Sequence, residues 1–380
     1  MKKFRVTRIL LIIVAILAIA YAVCPQYLRK ALIYQQVDID DYNIFDNRVV
    51  MAGNYEPWAE VPGFNRKSIP EAYVDQFDKF KTVGYLVIKD QKILFEKYWD
   101  SYSTESMSNS FSMAKSIISL LIGIALDEGY IKSVDQPIGD YLPEFKTGEK
   151  AKVTIRHLLE MSSGLSWDEA YSSAFSMTTK GYYGKDLPGL VLNQTVLREP
   201  GKFHDYKSGN TQLLALILEK ATKQRVSSYA SDKLWKPMGA AHDALWSVDQ
   251  PNGVEKAYCC FNTNLRDFAR FGQLILNHGK WNEQQLVSEA YLNQALTPAS
   301  HLIDDQGKNV DYYGWQWWLM KYRGYQIIYM RGINGQYVIT IPELNTVIVR
   351  LGHKRSTDRI NGIPADFFAW IDAGLEIAGS

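Results

Sequence analysis

Hydrophobic and polar residues alternate in two regions near the ends of the chain, which is the pattern of β-strands with one buried face. The segment TVGYLVIKDQKILFEKYW at 82–99 reads as two strands joined around Asp90-Gln91. Three further strand-like runs and a helical pattern lie near the other end, at 325–331, 336–341, 346–351 and about 365–377. The pattern predicts a hairpin, a later three-stranded meander and a last helix.

Between these regions, apolar residues recur every three to four positions, which predicts helices at 113–128, 154–161, 211–222 and 265–277. Strands at both ends with helices between them predict an α+β fold, in which N- and C-terminal segments form one central antiparallel sheet flanked by helices. We expect one domain over 31–380. Its α/β lobe is expected from about 45–100 and 312–380, with an inserted, mostly helical lobe at about 105–300.

The N-terminal segment differs from the rest, because an uncharged apolar run at 9–24 follows four basic residues, Lys2, Lys3, Arg5 and Arg8. As a helix this run spans roughly 24 Å, slightly less than the roughly 30 Å hydrocarbon core of a bilayer. Residues 1–30 are therefore predicted to be a signal peptide, cleaved near Ala20-Tyr21-Ala22, or a tilted membrane anchor. We favour the anchor slightly, since 26–30 shows no clear mature start. Both interpretations export the remaining chain, which is expected to be periplasmic or held at the inner membrane.

Composition excludes several function classes. The net charge of +1 gives no field that would gather nucleic acid, so no nucleic-acid partner is expected. Six histidines and three cysteines, none of them paired at zinc-ligand spacing, predict neither a metal nor a cofactor. Adjacent cysteines bridge only with strain, so Cys259 and Cys260 are not expected to form a structural disulfide. The oligomeric state stays open.

The first candidate for chemistry is the sequence Ser112-Met113-Ala114-Lys115, at the point where a polar stretch meets an apolar helix. Residues three apart on a helix share one face, so Lys115 can reach the Ser112 hydroxyl. A serine at a helix start also lies beside free backbone N–H groups, which can stabilise negative charge on a substrate carbonyl. An N-cap serine with a solvated lysine would give the same pattern.

Two further segments add to this candidate. Tyr206-Lys207-Ser208 lies in a short loop that opens a long helix, although Tyr171, Tyr229 and Tyr291 match similar tyrosine patterns. The turn at 331–336, Arg-Gly-Ile-Asn-Gly-Gln, lies between two predicted strands, and its glycines allow the backbone to approach a ligand closely. A plain hairpin turn has the same features.

Taken in this order, Ser112-x-x-Lys115, Tyr206-x-Ser208 and the 332–336 turn resemble the three boxes of the penicillin-recognising serine hydrolases, the superfamily of β-lactamases and DD-peptidases. The resemblance runs from about Tyr85 to Leu351 and implies a β-lactamase-like fold. It is closest to the class C β-lactamase-related branch, which also holds esterases, D-aminopeptidases and 6-aminohexanoate-dimer hydrolases. The 331–336 turn is similar to that of the last group.

The resemblance implies that Ser112 is the nucleophile, Lys115 its partner and Tyr206 the general base. It also implies an oxyanion hole formed by the backbone N–H groups of Ser112 and Ile333, and a substrate contact at Tyr171.

Ser208, Arg331 and Gly332 complete the expected substrate-binding residues. Arg331 marks a departure, because β-lactamases carry Lys-Thr-Gly where this chain has Met330-Arg331-Gly332. Arg331 could supply the positive charge of that lysine, but its planar guanidinium is not interchangeable with an ammonium, which makes a strong β-lactamase less expected than an amidase or esterase.

The sequence therefore predicts a serine hydrolase that cleaves a small-molecule amide or ester through an acyl-enzyme on Ser112. Two alternatives stay open. One is a β-lactamase or DD-peptidase that acts on β-lactams or peptidoglycan stem peptides. The other is a penicillin-binding sensor that is acylated without turnover.

Overall fold

The computed structural model describes residues 2–379. Met1, the first residue of the predicted N-terminal segment, and Ser380, the last residue of the predicted domain, lie outside the described residues. The α-helices of the described chain are α1 Lys2–Val23, α2 Gln26–Tyr34, α3 Glu71–Lys79, α4 Ala114–Asp127, α5 Ile155–Leu159, α6 Met177–Tyr183, α7 Leu187–Leu192, α8 Ser208–Thr222, α9 Val226–Ala230, α10 Leu265–Leu276, α11 Glu289–Ala295 and α12 Asp366–Ala378. The strands are β1 Asn47–Val50, β2 Ala59–Glu60, β3 Thr82–Lys89, β4 Lys92–Tyr98, β5 Ser108–Asn109, β6 Ala244–Ser247, β7 Phe261–Thr263, β8 Lys280–Trp281, β9 Gln284–Gln285, β10 Trp318–Tyr322, β11 Tyr325–Gly332, β12 Gln336–Ile341, β13 Thr346–Gly352, β14 Arg359–Ile360 and β15 Ile363–Pro364.

The central sheet has the strand order β10-β11-β12-β13-β3-β4-β2. The N-terminal hairpin joins the C-terminal meander through antiparallel pairing of β13 with β3, as the strand pattern predicted. Alternate residues of β3 face opposite layers, since Tyr85 and Val87 pack with α12 and Leu86 and Ile88 pack in the core of the helical region. Both faces are covered, and this explains why β3 is almost entirely buried.

The helical region is organised around α4, whose residues 114–125 are all buried. A helix that is apolar nearly all round must be surrounded by other elements, and α4 packs against α8 and lies near α11. Its first turn is consequently held from several sides. This rigid start is where the sequence placed Ser112.

One expectation about the lobes needs correction. Strand β1, inside the segment assigned to the α/β lobe, belongs to a separate four-stranded sheet of order β1-β6-β7-β5, because it pairs with β6. The aromatic-rich stretch 312–318 is mostly irregular, and only Trp318 begins a strand. Gln316 has a φ of +66°, and this left-handed backbone is incompatible with a continuous strand.

Helix α1 contains an 18-residue window, Val6–Val23, with a mean hydropathy of 2.6, and none of the side chains described in it is buried against the protein. By length and composition this helix can cross a membrane. A secretion signal near an N-terminus has the same properties, so both interpretations of the segment persist.

Asp267 stabilises the fold through a buried ion pair with Arg270, at 2.8 Å, in which both side chains are almost completely enclosed. The carboxylate also accepts hydrogen bonds from the Ala241 backbone N–H and the Asn264 amide. We expect Asp267→Ala to lower the free energy of unfolding by about 3–5 kcal/mol, because it leaves a buried guanidinium without its partner. Urea unfolding of the full chain, followed by tryptophan fluorescence, measures this.

Asp232→Ala is the matched control, since the Asp232–Lys236 pair is of similar length, 2.7 Å, but half-exposed. It should cost less than about 1 kcal/mol. Equal losses in the two variants would contradict the importance given to the buried pair.

Candidate active site

Ser112 lies in a single tight turn, residues 111–113, that leads directly into α4. The preceding residue, Phe111, has a φ of +43°, which a bulky side chain adopts only when its surroundings impose it. The Asn109 side chain accepts a hydrogen bond from the Phe111 N–H at 2.9 Å, and the Phe111 ring is buried. The local strain is therefore held by packing and presents Ser112 at the surface of a cavity.

Lys115 is only 1% exposed and lies one turn along from Ser112. Its ammonium donates hydrogen bonds of 2.9 Å to the Ser112 hydroxyl and of 2.9 Å to the Tyr258 carbonyl. It also lies 5.0 Å from the centre of the Tyr206 ring and 5.6 Å from that of Tyr258. Among the described ion pairs, none joins Lys115 to a carboxylate. The structure thus brings Ser112, Lys115 and Tyr206 together around one buried cation.

Tyr206 is half-buried in the loop before α8, with its ring packed against Trp318 at 5.4 Å and Tyr313 at 6.0 Å. Two other tyrosines with similar sequence patterns, Tyr229 and Tyr291, have hydrogen-bond partners far from Ser112. Tyr229 donates to Glu128 at the remote end of α4, and Tyr291 donates to the Ser119 carbonyl inside the core. Their neighbourhoods exclude both from the surroundings of Ser112.

The 331–336 turn packs closely against the backbone just before Ser112. A Cβ atom on Gly332 would lie 2.4 Å from the Ser110 carbonyl oxygen, so only glycine allows this approach. From behind, the Arg350 guanidinium donates to the carbonyls of Asn334 at 3.0 Å and Gly335 at 2.8 Å. Ile333, which these contacts position, lines the same cavity as Ser112.

The cavity has a volume of about 1180 Å³ and is lined by four of the predicted residues, Ser112, Tyr171, Ser208 and Ile333. The remaining predicted residues, Lys115, Tyr206, Arg331 and Gly332, are not part of its lining. Lys115 contacts Ser112 directly, and the Tyr206 ring lies beside the Lys115 ammonium. Arg331 lies 4.7 Å from the Trp318 ring, and Trp318 packs in turn on Tyr206.

Glu169 is a site residue that sequence reasoning missed. Its carboxylate accepts hydrogen bonds from the Ser208 N–H and hydroxyl, both at 2.7 Å, and from the Tyr171 hydroxyl at 2.5 Å. Two of the expected substrate contacts are therefore tied to one carboxylate. No local pattern indicated this, since Glu169 lies 39 residues before Ser208 in the chain.

Arg355 was also missed, and it lines the cavity. Burial lowers the pKa of the Arg355 guanidinium, and the nearby positive charge of Arg331 lowers it further. Arg355 therefore brings positive charge to the cavity, with Arg331 close enough to interact with it. Their separation along the chain, with β12 and β13 between them, explains why they did not form a recognisable motif.

The segment after α2 forms another unexpected part of the wall, since residues 34–38 line the cavity. The Asn334 amide donates to the Val37 carbonyl at 3.0 Å, and the Asp38 carboxylate lies 2.6 Å from Nδ1 of His353. Burial alone would raise the pKa of Asp38, but the His353 and Ile39 hydrogen bonds outweigh it and lower that pKa. These contacts fix the N-terminal segment to the 331–336 turn and to His353.

Cys259 and Cys260 form a disulfide, so the expectation of no structural disulfide is wrong. A bridge between neighbouring cysteines needs an unusual backbone conformation, and Cys260 has one, with a φ of +70°. Its carbonyl accepts a hydrogen bond from the Ser247 N–H, which holds this backbone in place. Cys259 lines the cavity and directly follows Tyr258, whose carbonyl binds Lys115. The bridge is therefore part of the site.

With this geometry established, comparison with known proteins gives the family. The family model described as Beta-lactamase matches residues 71–367, well over half of the chain. The chain therefore belongs to the β-lactamase family, and the fold and superfamily predicted from its three boxes are confirmed.

Individual relatives agree with this assignment. The chain is 27% identical over 285 residues to 6-aminohexanoate-dimer hydrolase of Paenarthrobacter ureafaciens, covering 71% of this chain and 72% of the relative. Its fold matches a Bacillus anthracis protein provisionally assigned as a 6-aminohexanoate-dimer hydrolase, with a TM-score of 0.76, 19% identity, and 90% and 92% of the two chains covered. It also matches a family VIII carboxylesterase, with a TM-score of 0.65, 16% identity, and 84% and 99% covered.

The disulfide gives a direct prediction. Of the three cysteines in the chain, Cys24 is free and half-exposed. Iodoacetamide should therefore add one group to the denatured, unreduced protein and three after reduction, as counted by intact mass. Three additions without reductant would show that Cys259 and Cys260 are thiols.

Proposed function

We propose that this protein is a serine hydrolase that cleaves an amide or ester bond through an acyl-enzyme on Ser112. The observation that carries the proposal is the 2.9 Å hydrogen bond from the buried Lys115 ammonium to the Ser112 hydroxyl at the surface of the cavity. A serine hydroxyl is a weak nucleophile until a base removes its proton, so the groups around it decide its reactivity.

In the proposed mechanism, Tyr206 acts as the base. The Ser112 proton passes to the phenolate form of Tyr206, which the positive charge of Lys115 stabilises, and Oγ attacks the substrate carbonyl. The resulting oxyanion accepts hydrogen bonds from the backbone N–H groups of Ser112 and Ile333. The leaving amine or alcohol takes the proton from Tyr206, and the acyl group stays on Ser112.

Deacylation repeats these steps with water. Tyr206 accepts a proton from the water, whose hydroxide adds to the acyl carbonyl, and the Ser112 oxygen leaves with the proton returned by Tyr206. The products are a carboxylic acid and the free enzyme. This cycle uses only side chains and water.

Amide or ester substrates are preferred here to β-lactams for two reasons. The relative with 27% identity is named for hydrolysis of an amide dimer, and a structural relative is a carboxylesterase. In addition, the chain has Met330-Arg331-Gly332 where β-lactamases carry Lys-Thr-Gly, and the guanidinium of Arg331 cannot reproduce the point charge of the lost ammonium.

We also propose that the catalytic domain is exported and held at the membrane by α1. The support is the apolar, unburied helix itself, preceded by basic residues at the chain start. A small-molecule substrate then meets the enzyme outside the cytoplasm.

Substitution of the nucleophile and the base tests the mechanism. Ser112→Ala should lower kcat for p-nitrophenyl acetate by at least about 10³-fold, and Tyr206→Phe should lower it by about 10²–10⁴-fold, the contribution usual for a positioned base. Tyr229→Phe is the control, because Tyr229 has a similar sequence pattern but bonds Glu128. Unchanged turnover in folded Ser112→Ala would refute the assignment.

A substrate panel distinguishes the proposal from its alternatives. Intact mass should show an acyl adduct on Ser112 that forms and decays with small esters and linear amides, while nitrocefin is turned over slowly. Rapid nitrocefin turnover would favour a β-lactamase. An adduct that forms with a β-lactam and persists, without turnover of any ester or amide, would favour a sensor.

A further inference from the structure

The wall of the catalytic cavity nearest the chain start is formed by the end of α2 and the residues after it. Tyr34 ends α2, and residues 34–38 line the same cavity as Ser112. The hydrogen bonds from Asn334 to Val37 and between His353 and Asp38 fix this wall to the 331–336 turn and to the segment after β13. The position of α2 therefore determines the surroundings of the cavity mouth.

Chain connectivity places α2 close to the end of α1. Only Cys24 and Pro25 separate the two helices, and the three Cα–Cα steps from Val23 to Gln26 span at most about 11 Å. The nine residues of α2 add about 14 Å. The cavity wall at Tyr34 thus lies within about 25 Å of the last residue of α1, whatever the angle between the helices.

Large apolar side chains are exposed in this region. On α2, Leu32 is 67% and Ile33 61% exposed, and Tyr34 is 39% exposed. On the loop before α6, Tyr171 is 53% and Phe175 70% exposed. We call these five residues the apolar mouth.

The two parts of the apolar mouth belong to neighbouring segments, because α2 packs on α6 and because Tyr34 and Tyr171 line the same cavity. The Tyr34 and Tyr183 rings stack at 6.2 Å, and the Lys180 ammonium lies 5.9 Å from the Tyr27 ring. A clustered apolar surface beside a cavity indicates an interaction site. Lys180, with Arg29 on α2, adds the positive charge that anionic lipid headgroups attract.

We propose that the apolar mouth rests on the lipid surface of the membrane that holds α1, and that the substrate is an amphiphilic amide or ester drawn from that bilayer. The substrate part of this inference rests on the proposed function. The contact with lipid depends on the proposed anchoring by α1 and on the exposed side chains, but not on the proposed hydrolysis.

Lipid contact is tested by labelling the full-length protein in vesicles of phosphatidylethanolamine and phosphatidylglycerol. In a Cys24→Ser background, Phe175→Cys carries a nitrobenzoxadiazole fluorophore, and doxyl-labelled lipids should quench it strongly. Tyr130→Cys is the control, since Tyr130 is 42% exposed but follows the end of α4 remote from Ser112. Equal quenching at the two positions, or none at 175, would overturn the proposal.

Substrate access is tested with the double variant Ile33→Asp/Phe175→Asp, which places charge in the apolar mouth without altering a catalytic group. Hydrolysis of p-nitrophenyl palmitate in vesicles should fall by about tenfold, because the mouth no longer seats in the bilayer. Hydrolysis of soluble p-nitrophenyl acetate should be unchanged. Val74→Asp, an exposed apolar position on α3, should affect neither substrate.

The outcomes separate the two proposals. Loss on both substrates, or on neither, would overturn the access route through the apolar mouth. Cleavage of α1 from the protein in cells, detected by intact mass, would overturn the membrane contact. If the parent enzyme hydrolyses neither ester while the label at 175 is quenched, the proposed function fails and the lipid contact stands.

Discussion

The buried ammonium of Lys115 is the constraint on which the site depends. A lysine removed from water needs acceptors for its N–H groups, and here they are the Ser112 hydroxyl and the Tyr258 carbonyl, with the Tyr206 ring beside them. These partners come from the 111–113 turn before α4, from the segment before β7 and from the loop before α8. Satisfying one buried cation therefore fixes three separate parts of the chain around the nucleophile.

The rest of the fold keeps this arrangement rigid. Helix α4 is enclosed on all sides, and the turn after β11 approaches the Ser110 backbone so closely that Gly332 cannot carry a side chain. Arg350 holds that turn from the sheet side. A site with positions set by buried elements is better preorganised than one formed by loops alone. The Cys259–Cys260 bridge adds a covalent restraint immediately after Tyr258.

The two ends of the chain meet at the cavity. Asp38 and His353 are 315 positions apart, yet their side chains are in contact, and Asn334 binds the backbone of Val37. The N-terminal segment is thus part of the catalytic wall and not only a leader for the domain. This contact couples the geometry of the substrate entrance to the path of the chain leaving α1.

The sequence by itself determined the elements and the first half of the site. Strand and helix periods are local, so β3, β4, β11, β12, β13, α4, α8, α10 and α12 were all predicted close to their observed bounds. The Ser112–Lys115 pair was equally local, because a spacing of three places both side chains on one face of a helix start. The order of the three boxes then identified the family.

Only the tertiary structure decided which distant residues join that pair. Tyr206, Tyr229 and Tyr291 had similar local patterns, and the packing of their loops and helices separates them. Glu169, Arg355, the wall at 34–38 and the sheet partner of β1 had no local pattern at all. These contacts depend on the path of the connecting loops, and the hydrophobic periodicity of the sequence does not predict that path. The rule that adjacent cysteines rarely form a bridge was wrong for Cys259 and Cys260. A hydrogen bond from Ser247, which is distant in the chain, holds Cys260 in the left-handed conformation that accompanies the bridge.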